Sequence, residues 1–271
     1  MNRFRLAVFD LDGTLLEPGR PLQPEVIAAF RRLRAQGVHA TLATGRCFLA
    51  TREVAEILGI DIPLVAASGA SVMSADRSCI LEDRKIPLAT ARDILYRIKD
   101  LGKVAYAYLD DAILADREHP DSGRYSRGLG CEISVERSLP SALSEAPSMI
   151  VLRAEPDEVR TLRESFCSLG LQGVAVSSSM PHFLDFLPSG VSKARGVSLV
   201  AGHLGVVQYQ IIAIGDGEND MEMLQAAGVG VLVANAPREI WASADLVTAA
   251  SHWKGVLEAL DRFVFSNGVP T

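Results

Sequence analysis

Apolar residues along this chain recur with two alternating periods. Residues 4–9 (Phe-Arg-Leu-Ala-Val-Phe) read as a buried strand, and residues 24–36 as a helix with Val26, Ile27, Phe30 and Leu33 at helical spacing, closed by Gly37. A strand-like stretch over 38–43, a helix over 48–58 stopped by Gly59, and an apolar run over 64–67 ending at Ser68-Gly69-Ala70 follow. This βαβαβ order predicts a parallel sheet covered by helices, because parallel neighbours need a crossover between them. The pattern returns after residue 190, with a helix over 192–204, a strand over 210–214, a helix over 219–227 and a strand over 229–233. A helix after Pro237 and a last one over 255–264 complete it.

The middle of the chain differs. A helix within 86–101 and a strand-like stretch over 103–115 precede a polar, turn-rich segment over 116–147. Strand-like runs over 149–153 and 174–187 then flank a helix over 158–169. Polarity alternates more in these strands, as in a sheet with one solvated face. The expectation is an α/β protein: a doubly wound parallel-sheet core, discontinuous over 1–82 and 189–271, with an α+β unit inserted over 83–188. There is no internal repeat or low-complexity tract.

Composition narrows the classes. With 48% hydrophobic and 22% charged residues the chain belongs with folded proteins, and 271 residues can bury a core without disulfides or a structural metal. The 27 basic and 33 acidic side chains leave a net charge of -6, with the bases scattered, which argues against nucleic acid as a partner. Cys47, Cys79, Cys131 and Cys167 form no C-x-x-C pair, so a zinc site or disulfide framework has little support, and a reducing, cytoplasmic compartment is expected. No apolar run approaches the roughly 18 residues of a membrane span. The stretch before the first acid is too short for a secretory signal. No heptad seam marks an oligomer, and the oligomeric state is left open.

The strongest chemical signal is Asp10-Leu11-Asp12-Gly13-Thr14, directly after the first strand. Carboxylates at i and i+2 point to one side of an extended segment, at the carboxyl end of a parallel strand where open α/β sheets place ligands. The alternative is an acidic turn capping a strand. A second cluster, Gly215-Asp216-Gly217-Glu218-Asn219-Asp220, follows the 210–214 strand. If Asp216 faces Asp10 and Asp12, the convergent carboxylates require a cation, and hard oxygen ligands of this kind suit Mg²⁺ bridging to a phosphate. An Asn/Asp-rich helix start is the plainer reading of that segment alone. Competing motifs fail by position. An EF-hand loop from Asp10 would need Gly where Leu15 stands, and a dinucleotide fingerprint from Gly215 would need Gly where Asp220 stands. The serine elbow at Ser192 lacks its last Gly, and no phosphate-binding P-loop is present. Two lesser signals remain. Thr44-Gly45-Arg46 opens a helix and could bind an anion or simply cap it. Lys193 opens a helix at the return from the inserted unit, either as a functional cation or as a surface lysine.

These four motifs, in this order, resemble the haloacid dehalogenase superfamily over nearly the whole chain. The place of the insert resembles the class IIB cap of the Cof-like phosphatases. The resemblance implies a Rossmann-like doubly wound parallel-sheet core with an inserted α+β cap domain, and a Mg²⁺-dependent phosphatase acting on a small phosphorylated metabolite, a sugar phosphate above all. It implies Asp10 as nucleophile, Asp12 as general acid and then base, and Thr44 and Lys193 as phosphoryl ligands. Asp10, the Asp12 carbonyl and Asp216 would hold the metal, with Asp220 supporting them from outside the coordination sphere. Gly45, Arg46 and Asn219 are weaker candidates for substrate contact. The chain departs from the family pattern at Ser68-Gly69-Ala70, Ala194 and Ala234-Asn235-Ala236, none of which removes a catalytic group. In the cap, His182 and Asp185 could bind a hydroxyl-rich substrate or lie on the solvent face. His39, His119, His203 and His252 show no metal-ligand spacing and receive no role. A phosphomutase using the same nucleophile and a noncatalytic phospholigand-binding protein are the alternatives.

Overall fold

The computed structural model describes residues 3–120, 122–123, 126, 131–178 and 180–266. The chain forms two compact units, one drawn from Met1–Thr44, Arg52–Glu82 and Ser192–Thr271, the other from Gly45–Thr51 and Asp83–Val191. The segment Gly45–Thr51, which enters the helix Phe48–Leu58, thus groups with the inserted residues.

The first unit is built on a five-stranded sheet in the order Leu246–Val247, Val229–Leu232, Ile211–Gly215, Leu6–Phe9, His39–Leu42. Every pairing is parallel. The three central strands are apolar throughout and buried, as strands covered on both faces must be. Leu6 and Val8 join the cluster under the helix Lys193–Leu204, with Val197, Val200 and Met223. On the opposite face Phe9 meets Phe30 of the helix Pro24–Ala35, ring centroids 4.8 Å apart. Each such fully buried side chain contributes about 1.5–3 kcal/mol. The doubly wound order places the ends of Leu6–Phe9, His39–Leu42 and Ile211–Gly215 at one sheet edge.

The third strand, Leu64–Ala66, differs from expectation. It touches the parallel sheet through the Ala43–Val65 bridge, but pairs antiparallel with Ser71–Met73 in a three-stranded sheet that Ile80–Asp83 completes. Ala67, Ser68 and Gly69 take φ values of 46°, 53° and 97° to reverse the chain. A Cβ on Gly69 would lie 2.3 Å from the Ser192 carbonyl oxygen, so this left-handed turn brings bare backbone against the residue that caps the Lys193 helix. After Pro237 the chain forms only a 3₁₀ segment, Arg238–Ser243, rather than an α-helix. The last helix runs His252–Leu260 and ends in a π turn over Asp261–Phe265.

The second unit holds a six-stranded sheet in the order Val174–Ser177, Phe183–Pro188, Met149–Arg153, Val104–Tyr108, Ile113–Ala115, Ile133–Val135. Its pairings are antiparallel except the last, and 103–115 is a hairpin of two strands rather than one. The helices Leu88–Asp100 and Pro156–Ser168 supply Ile94, Leu95 and Phe166 to a core with Ala105, Ala107, Leu184 and Phe186. The expected solvated face is absent from the central strands. Tyr106, Tyr108, Val151 and Asp185, on the side opposite the helices, are buried too. The alternation in Val-Ala-Tyr-Ala-Tyr is one of size, not of polarity.

Candidate active site

Asp10 and Asp216 directly follow strand ends, and Asp220 closes the 3₁₀ turn Glu218–Asp220 beyond the second. Leu6–Phe9 is held in register against Ile211–Gly215, and Asp10 continues that ladder, its N–H donating to the Ile214 carbonyl at 2.9 Å. The chain then turns sharply, with Thr14 N–H on Leu11 O and Gly13 N–H on Leu16 O. Gly13 is required here: its φ is 90°, and a Cβ would sit 2.1 Å from Asp216 Oδ2. From the neighbouring strand, Asp220 Oδ2 accepts the N–H groups of Asp216 and Gly217, each at 3.0 Å, and so shapes the turn that presents Asp216.

Asp10, Asp216 and Asp220 each place an oxygen within 4.8 Å of the others. Lys193 Nζ donates to Asp10 Oδ1 at 2.6 Å and to Asp220 Oδ1 at 2.7 Å, with all three side chains almost wholly buried. Burial works to strip the lysine of its proton, but the two carboxylates outweigh it, and Lys193 is held charged above the ordinary lysine range. One cation among three acids leaves an excess of negative charge. Burial above all, with Asp220 and Asp216 adding to it, raises Asp10 well above the usual carboxylate range against the pull of Lys193. Burial likewise pushes Asp216 up to about 6, against the Thr14 hydroxyl that donates to its Oδ1 at 2.7 Å. Hard carboxylate oxygens that resist joint ionisation until further positive charge arrives are a donor set that fits Mg²⁺.

The remaining candidates are placed as follows. Thr44 is buried just past His39–Leu42, its N–H on Val65 O and its carbonyl accepting from Ser68 N–H, both at 2.9 Å. Asp12 is half-buried, its backbone bridged to Leu16. Asn219 is half-buried in the acidic turn, its amide oxygen against Gly217. Gly45 and Arg46 group with the second unit, Gly45 half-buried and Arg46 buried. In that unit His182 is exposed and Asp185 is buried within Phe183–Pro188.

Two residues given no role from sequence stand beside the acids. Asn235 Nδ2 donates to Gly13 O at 3.0 Å and to Asp216 Oδ2 at 3.1 Å, and His252 Nδ1 lies 2.8 Å from Gly13 O. Asn235 is the third residue past another parallel strand end, Val229–Leu232, a position that could have drawn attention to it.

Residues 7–260 match the family model of haloacid dehalogenase-like hydrolases. The chain belongs to that family. This haloacid dehalogenase-like hydrolase is 33% identical to a phosphoglycolate phosphatase of Natronomonas pharaonis over 253 residues, 93% of this chain and 95% of the relative. It is 28% identical to an HMP-PP phosphatase of Cronobacter sakazakii over 252 residues, 92% and 90% of the two chains. A solved HAD subclass IIB sugar phosphatase shares its fold, with a TM-score of 0.82 at 21% identity over 96% of this chain and 98% of that one. The chain is a phosphatase of the family, a phosphoric monoester hydrolase.

Proposed function

We propose that this phosphatase is Mg²⁺-dependent and hydrolyses a small phosphomonoester, of the sugar-phosphate kind, through an aspartyl-phosphate on Asp10. The observation that carries the reading is Lys193 bridging Asp10 and Asp220 in a buried site that Asp216 also enters. Asp10 attacks phosphorus, the bond to the leaving oxygen breaks, and Asp12 gives that oxygen its proton. Asp12 then takes a proton from water, whose oxygen displaces Asp10 from phosphorus and releases inorganic phosphate. Lys193 and Thr44 hold phosphoryl oxygens while charge redistributes, which is the larger part of catalysis in phosphoryl transfer. Asp10, the Asp12 carbonyl and Asp216 would hold Mg²⁺, which when bound would offset the excess carboxylate charge and supply Lewis-acid polarisation of the phosphoryl group. Asp220, with Lys193 on one oxygen and two backbone N–H groups on the other, supports the turn rather than the metal.

Substrate choice is assigned to the inserted unit, which the reading takes as the class IIB cap. The relatives' different named substrates agree with a shared chemistry and a variable selector. A panel of phosphorylated metabolites assayed for phosphate release, with Mg²⁺ and with chelator, tests the proposal. It expects turnover of small phosphomonoesters that chelator abolishes. Turnover unchanged by chelator or by Asp10→Asn overturns the mechanism. A hexose 1-phosphate converted to its isomer with little free phosphate overturns hydrolysis in favour of a mutase.

A further inference from the structure

Asp216 and the Gly13 carbonyl are held by a pair of residues, Asn235 and His252. Asn235 donates through one amide nitrogen to both Gly13 O and Asp216 Oδ2. Its amide oxygen accepts the His252 N–H at 2.8 Å. His252 then returns to the same Gly13 carbonyl with Nδ1, and because a carbonyl can only accept, Nδ1 is the protonated ring nitrogen. The circuit closes on itself: Asn235 and His252 fix each other, and together they occupy both lone pairs of Gly13 O. With Thr14 on Asp216 Oδ1, each oxygen of that carboxylate has a donor fixing its orientation.

The circuit also carries strain. His252 has a φ of 53°, the left-handed region that costs a β-carbon residue about 1 kcal/mol. The conformation directs both its backbone N–H to Asn235 and its ring to Gly13. Both residues are half-buried rather than locked in the core, so packing alone does not account for the arrangement.

We propose that Asn235 and His252 are positioning residues that pre-set Asp216 and the Asp12–Thr14 turn for a divalent cation. This inference rests on the Mg²⁺-dependent reading above. Its mechanism is that of outer partners of metal ligands, whose loss lowers metal affinity about 10–100-fold without removing a ligand.

The test is calorimetric titration of Mg²⁺ into the purified protein, with thermal midpoints of the metal-free proteins measured alongside and phosphate release followed as a function of Mg²⁺. Asn235→Ala and His252→Gly are each expected to weaken Mg²⁺ binding about tenfold or more. At saturating Mg²⁺ both should recover most of kcat, with the substrate KM near that of the wild type. His252→Gly removes the ring donor while leaving the backbone free to keep φ positive. His252→Asn restores an N–H donor and tolerates the same backbone, so it should rescue affinity where His252→Gly does not. If Asn235→Ala fails to fold, the two His252 variants decide the matter by themselves. Wild-type and His252→Gly proteins that bind Mg²⁺ equally well overturn the positioning role alone. A wild-type protein that takes up no Mg²⁺ overturns the metal reading, and this inference with it.

Discussion

The acidic site has two halves held by different forces. On one side Asp10, Lys193 and Asp220 form a buried ion triad with two charge-assisted contacts under 3 Å. On the other, Asp216 is held by neutral donors, the Thr14 hydroxyl and the Asn235 amide. A buried ion triad is costly to assemble and damaging to break, so its presence at a sheet edge is better explained by reactivity than by stability. Neutral donors fix direction without cancelling charge, so the negative charge on Asp216 is left for a cation to offset. On the proposed mechanism the first half makes and breaks the bonds to phosphorus, and the second, together with Asp10, places the cation.

Breaking the charged half should give the larger effects. Asp10→Asn removes the proposed nucleophile while keeping its shape, and phosphate release should fall by at least about a thousandfold at saturating Mg²⁺. Lys193→Met should lower kcat about 10²–10³-fold. It should also cost about 3–5 kcal/mol in urea unfolding at pH 7.5, because it strands buried carboxylates without their cation. Part of that cost should return when the unfolding is repeated at pH 5, because acid favours the uncharged form of the stranded carboxylates. A Lys193→Met protein with equal loss at both pH values would show that the triad contributes by packing rather than by charge.

The neutral half should respond through metal and pH. Gly13→Ala forces a Cβ into Asp216 at a left-handed backbone position. About 1–3 kcal/mol of stability should be lost, and Mg²⁺ affinity with it, more than kcat at saturating Mg²⁺. The smallest effect concerns Asp216 itself. Its folded pKa of about 6 lies above the ordinary aspartate value of 3.8, so the folded metal-free protein binds more protons in that window than the unfolded chain. Stability from this group is therefore complete below about pH 4 and is lost as pH rises through 6. Metal-free Asp216→Asn should melt above the wild type at pH 7.5, with the gap closing by pH 4.5, and differential scanning fluorimetry of the pair reads this directly. Mg²⁺ should remove the wild type's disadvantage and leave the variant unchanged.

What the sequence disclosed follows the same division. Asp10, Asp12 and Asp216 stand in acidic clusters where apolar strands end, so strand periodicity and motif together singled them out, whereas Thr44 and Lys193 were weaker signals at helix starts, to which the family resemblance gave roles. The Asn235–His252 circuit was hidden because its hydrogen bonds join residues 222 and 239 positions from Gly13 in the sequence. Judging histidines by metal-ligand spacing passed over one that grips a carbonyl. The parallel order of the core was legible because its central strands are apolar on both faces. The Leu64–Met73 hairpin was not, since three-residue strands leave no period to count and its turn places Ala67 and Ser68 in a left-handed conformation that their types do not advertise. In the second unit the large–small alternation of Val104–Tyr108 imitates a one-sided strand, although both faces are buried.

The most direct test of the account is to trap the reaction on the enzyme. Protein carrying Asp12→Asn, which should slow hydrolysis of the intermediate, is mixed with a turned-over phosphomonoester and Mg²⁺, quenched in acid, and mapped by peptide mass spectrometry. The account predicts one added phosphoryl group on the peptide holding Asp10, dependent on Mg²⁺ and absent from the Asp10→Asn, Asp12→Asn double variant. A phosphoryl group on any other residue, or wild-type turnover in Asp10→Asn, would contradict it.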